Sequence, residues 1–80
     1  MTTRVTGATV ITWLPTLAED AADARDFRPG TRFDRRELNY MLRDGVLPVN
    51  LLLEYGGQVV IVVGKGCNQR LVPYFAEVRV

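Results

Sequence analysis

From Val5 to Leu14, apolar residues fall on both even and odd positions, in a run rich in Thr, Val, Ile and Trp. That pattern predicts a β-strand covered on at least one side. Pro15 ends it, and Thr16 with Glu19 three residues on forms a capping box that predicts a helix over Leu17 to Phe27. At 100° per residue Leu17, Ala21 and Ala24 share one side of this helix, and Glu19, Asp20, Asp23 and Asp26 gather on another. Arg28 to Arg32, which includes Pro29 and Gly30, reads as a loop. A second helix is predicted over Arg35 to Asp44. Asp34 is its N-cap with Glu37 at the third helical position, Phe33 and Leu38 form a hydrophobic staple, and Gly45 caps the C-terminus. Its Leu38, Met41 and Leu42 point one way, and Arg36, Tyr40 and Arg43 the other.

The next stretch, Val46 to Val63, has twelve apolar residues in eighteen and a single charge, Glu54, with Gly56-Gly57 at its middle. A glycine pair tolerates positive φ at both turn positions, so the stretch predicts a β-hairpin. Pairing Tyr55 with Gln58 sets Leu53 opposite Val60 and Leu51 opposite Val62 on one face, and Leu52 opposite Ile61 on the other. Gly64-Lys65-Gly66 turns the chain into a last strand over Leu71 to Val80, which Pro73 assigns to a sheet edge. The elements predict one α+β domain over residues 1–80, an antiparallel sheet of about four strands with two short helices in the order β-α-α-β-β-β. Two small helices cover one face of so apolar a hairpin, so a homodimer or other small oligomer is expected to cover the second.

Composition narrows the function. A chain of 80 residues, 48% apolar and 24% charged, fits one soluble domain. One cysteine, Cys67, and no histidine leave no intrachain disulfide, no ordinary zinc site and no imidazole base. The expectation is a protein that is not an enzyme and has no cofactor. No run approaches the length of a membrane span and Met1 to Leu14 lacks the plan of a signal peptide, so a cytoplasmic protein without a membrane partner is expected.

Charge is unevenly placed. Arg25 to Arg43 holds six arginines against three acids, a local net charge of +3, whereas Glu19 to Asp26 holds four acids and one arginine, a local net charge of −3. Such polarity steers a charged partner to one side; it is equally the pattern of two solvated helix faces. Arg36, Tyr40 and Arg43, with Arg35 and Asn39 beside them, have the composition of an interface hot spot, rigid aromatic area next to forked donors. The same set can stack a base and clamp phosphates, or simply lie over neighbouring side chains. Secondary candidates are Lys65 and Arg70, in a flexible basic turn over Gly64 to Arg70 whose free amides could bind an anion, though it lacks P-loop spacing and by default reads as a plain hairpin loop, and Glu19, Asp23 and Asp26 on the acidic stripe. Cys67 reads as an idle or buried thiol.

The run Leu17-Ala18-Glu19-Asp20-Ala21-Ala22, then Arg35 to Gly45, Val46-Leu47-Pro48 and the hairpin turn at Gly56-Gly57, resembles the helix, helix, Gly-x-Leu-Pro and wing order of excisionase-type and other small winged-helix regulators. The resemblance implies DNA binding, with Arg35, Arg36, Asn39 and Arg43 entering the major groove and the hairpin as wing. Phe27 to Asp34 is longer than the tight turn of that family, and the hairpin is apolar where a DNA-touching wing is basic. In general profile the chain is similar to small phage and mobile-element inhibitors, including anti-CRISPR proteins. That similarity implies an inhibitor or adaptor occluding a larger protein or ribonucleoprotein assembly, and it is the leading expectation, with DNA binding as the alternative.

Overall fold

In a computed structural model of the chain, residues 6–14 and 27–75 are described. They form strand β1 (Gly7–Trp13), strand β2 (Arg32–Asp34), helix α1 (Arg35–Asp44), strands β3 (Leu51–Tyr55) and β4 (Gln58–Val63), a 3-10 turn (Gly66–Asn68) and strand β5 (Arg70–Pro73). The strands make one antiparallel sheet in the order β2-β1-β3-β4-β5.

The class is α+β, and two details of the sequence-based expectation are corrected. The sheet has five strands rather than four, and one α-helix stands among the described residues instead of two. The predicted acidic helix lies, apart from Phe27, outside the described residues, as does the C-terminal stretch from residue 76 to residue 80.

The added strand takes in Arg32, the last residue of the expected loop, with Phe33 and Asp34, expected as staple and N-cap. Pro29 and Gly30 occupy the two central positions of a turn closed by the Thr31 N–H on the Arg28 carbonyl at 3.0 Å, with Gly30 at φ 92. Proline followed by a residue at positive φ is the type II turn arrangement. The turn hands the chain back to β1: the Gly30 N–H reaches the Val10 carbonyl and the Val10 N–H the Thr31 carbonyl, each at 2.8 Å. Arg32, Phe33 and Asp34 then pair with Thr9, Ala8 and Gly7.

Helix α1 spans the residues that its end signals predict. Asp34 Oδ1 accepts from the Glu37 backbone N–H at 2.7 Å, which satisfies a donor that the first helical turn leaves unpaired. At the other end Gly45 sits at φ 68, its N–H on the Leu42 carbonyl at 3.2 Å, while Val46 donates to the Met41 carbonyl at 3.0 Å. This pair of bonds is a Schellman closure.

The hairpin pairs Leu52 with Ile61, Leu53 with Val60 and Tyr55 with Gln58, in the register expected. Its position is central, with β1 against β3 and β5 against β4. One sheet face meets α1, and there Ala8, Val10, Leu51, Leu53, Val60 and Val62 form the core with Leu38 and Leu47. Trp13, Phe27, Phe33, Met41, Leu42, Tyr55 and Leu71 pack around it. The staple pair is thus in place: Phe33 packs on the core and stacks, tilted, on Phe27 at 5.9 Å, while Leu38 is fully buried. On the other face Leu52 and Ile61 are 7% and 8% exposed within the single chain.

The turn between β4 and β5 is pinned rather than loose. The Gln69 side chain accepts from the Leu47 backbone N–H at 3.1 Å and donates back to the Leu47 carbonyl. The 3-10 turn packs against α1, bringing Gly66 backbone against Gly45. A β-carbon on Gly45 would meet the Gly66 carbonyl, whereas one on Gly57, at φ 81 in the hairpin turn, meets nothing within 4 Å.

Gly45→Ala therefore carries both left-handed strain and a backbone clash, and is expected to cost more than about 2 kcal/mol of stability, against about 1 kcal/mol for Gly57→Ala. Urea titration of the two variants checks the order. Gln69→Ala strips the side-chain partners from the backbone N–H and C=O of buried Leu47 and is expected to cost about 1 to 3 kcal/mol in the same titration.

Candidate partner-binding face

The outer side of α1 is built by the same periodicity that buries Leu38. Arg36, Tyr40 and Arg43 recur at intervals of four and three, so they rise in one stripe while Leu38, Met41 and Leu42 face the sheet. Arg35, Arg36, Asn39, Tyr40 and Arg43 are all exposed, and with Asp34 they line one concavity of about 650 Å³. Every residue of the primary sequence-predicted set falls in this one place.

Its geometry is partly fixed in advance. The Arg43 guanidinium carbon lies 4.8 Å from the centroid of the Tyr40 ring, a cation–π contact. The Arg43 Nε also approaches Asp44 Oδ1 at 3.8 Å, between two side chains 70% and 61% exposed, an ion pair that solvent screens to little. Tyr40 itself is 51% exposed, a large aromatic surface left on the outside of a short helix. Asp34 is the residue the sequence reading assigned only to capping. Its carboxylate both holds the Glu37 N–H and lines the concavity, a double role that follows from N-cap position but shows only once the groove exists.

The secondary candidates do not join this group as a set. Lys65, at the entry to the 3-10 turn that packs on α1, is exposed. Arg70 starts β5 beside Leu71; since Leu71 packs on the core, the two-residue alternation of a strand sends Arg70 to the opposite face. Glu19, Asp23 and Asp26 lie outside the described residues. Cys67 is free and exposed in the 3-10 turn. Among the described residues, no three His, Cys, Asp or Glu side chains are grouped to hold a metal ion, and no helix is long and apolar enough to cross a membrane.

In comparisons with protein-family models, curated proteins and solved structures, none matches this chain.

A free, exposed thiol with no hydrogen-bond partner among the described residues should be replaceable. Cys67→Ser is expected to shift stability by no more than about 0.5 kcal/mol, the range of ordinary surface substitutions, measured by denaturant titration under reducing conditions.

Proposed function

We propose that this chain is a small non-enzymatic protein-binding protein, an inhibitor or adaptor that acts by covering part of a larger protein or ribonucleoprotein assembly, with the outer side of α1 as its contact surface. The observation that carries this reading is the gathering of Arg35, Arg36, Asn39, Tyr40 and Arg43 around one concavity, with Arg43 already stacked on Tyr40. An aromatic ring flanked by forked donors is the composition that dominates binding energy at protein interfaces. The stack lowers the side-chain entropy still to be lost on binding, a cost of about 0.5 to 1.5 kcal/mol for each rotamer-rich side chain immobilised.

The alternative reading, a winged-helix DNA-binding regulator, draws support from the arginines of α1 and less from the hairpin. Strands β3 and β4 hold the centre of the sheet with a neighbour on each side, and over Leu51 to Val63 Glu54 is the single charge. A wing that grips phosphates needs basic residues at its tip.

The test is affinity capture from lysate, with and without nuclease, by the native chain and by two variants. Tyr40→Ala is expected to weaken capture of the retained partner by about 2 kcal/mol or more, as loss of a central aromatic anchor does. Arg36→Glu with Arg43→Glu is expected to abolish capture while the melting temperature barely moves, because neither side chain enters the core. Unchanged capture by both variants would make this a solvated helix surface.

A further inference from the structure

Resting on the reading of α1 as a contact surface, we infer that its occupant is an acidic peptide segment of a partner protein, one whose carboxylates are spaced by a neutral stretch, and not a nucleic acid backbone.

The argument is the placement of charge along the helix. Arg35 and Arg36 stand at its first turn and Arg43 at its last, with Asn39 and Tyr40 between them in the same concavity. Arg43 lies seven positions after Arg36, about 10.5 Å along the axis at 1.5 Å per residue. The surface therefore offers a guanidinium fork at each end with an amide and an aromatic ring between. A peptide segment with one carboxylate for each end and uncharged residues between them complements it: the arginine forks take the carboxylates, Asn39 offers donor and acceptor to a peptide backbone, and the Tyr40 ring covers apolar atoms. Arg43 lies over the Tyr40 ring at 4.8 Å, and its exposed fork offers N–H donors beyond the Nε that faces Asp44 Oδ1 at 3.8 Å.

The acids of the same helix argue against a phosphate polymer. Asp34, Glu37 and Asp44 match Arg35, Arg36 and Arg43 in number over Asp34 to Asp44, so this stretch is neutral as a whole. Asp34 lines the concavity itself. Duplex DNA carries a charge about every 1.7 Å of its axis, so phosphates would lie against these carboxylates as well as against the arginines. A segment with separated carboxylates meets the arginine forks and needs no anionic group beside Asp34, whose carboxylate already accepts from the Glu37 N–H.

The experiment is fluorescence anisotropy at low ionic strength with four probes. They are a dye-labelled peptide of glutamates separated by neutral residues, the same peptide with Gln in place of Glu, and single-stranded and duplex DNA oligonucleotides of matched charge. The Glu peptide is expected to bind at least about tenfold more tightly than the Gln peptide and the oligonucleotides, and Arg36→Glu with Arg43→Glu is expected to remove that preference. Arg43→Lys, which keeps the charge but loses the fork and the stack, is expected to weaken the Glu peptide severalfold. Tighter binding of an oligonucleotide, equal binding of the Glu and Gln peptides, or indifference to the charge reversal would each overturn the inference. Lysate capture separates the two readings. If the peptide fails while capture still depends on Tyr40 and the arginines, the acidic occupant is wrong and the contact surface stands; if capture is indifferent too, both fall.

Discussion

Leu38 is the point on which the rest of the described structure turns. Helix α1 has ten residues, too few to hold together in water from its own hydrogen bonds. What fixes it is the burial of Leu38 among Val10, Leu51, Leu53 and Val62, every one of them all but fully removed from solvent. Removing so many contacts at once is the most costly change open to a core of this size, about 2 to 5 kcal/mol for a buried leucine reduced to alanine. The concavity on the far side of the helix depends on this anchor, the one fully buried side chain of α1.

The caps then decide where that anchored helix starts and stops. Asp34 closes the N-terminus and Gly45 the C-terminus, and Gly45 also lets the Gly66 backbone approach where any β-carbon would intrude. The 3-10 turn is in turn tied to the post-helix segment through Gln69 and the Leu47 peptide group. A continuous line of local contacts thus runs from the N-cap through the helix to the last strand.

Much of this was legible in the sequence because the signals are local. The N-cap at Asp34, the staple of Phe33 and Leu38, and Gly45 after Asp44 are contained in thirteen residues, and the helix bounds follow from them. The hairpin register follows in the same way from the Gly56-Gly57 turn. What was not legible is non-local. A three-residue edge strand, Arg32–Asp34, has no periodicity to read, and its existence depends on β1 lying within reach of the turn at Pro29-Gly30. The Gly64 to Arg70 segment looked like a loose basic turn because its glycines and Asn68 are common in turns; its order comes from Gln69 reaching a peptide twenty-two residues away. The exposed stripe could be named from the helix period alone. The presence of Asp34 in the same concavity depended on knowing that the N-cap faces outward.

On the proposed reading, stability and recognition fall to different elements, the hairpin and the helix. The hairpin carries almost no charge and supplies both sides of the sheet with apolar bulk; the helix carries three arginines and three acids on ten residues and their cap. For a chain with a net charge of +1, attraction at long range is weak, so on the proposed reading partner choice rests on contact geometry. A stacked Arg43 and Tyr40 on a helix locked at both ends is a surface with little freedom left to lose, and in a small protein that preorganisation contributes more to selective binding than added charge would, since each further exposed arginine gains at most about 1 kcal/mol from a screened pair.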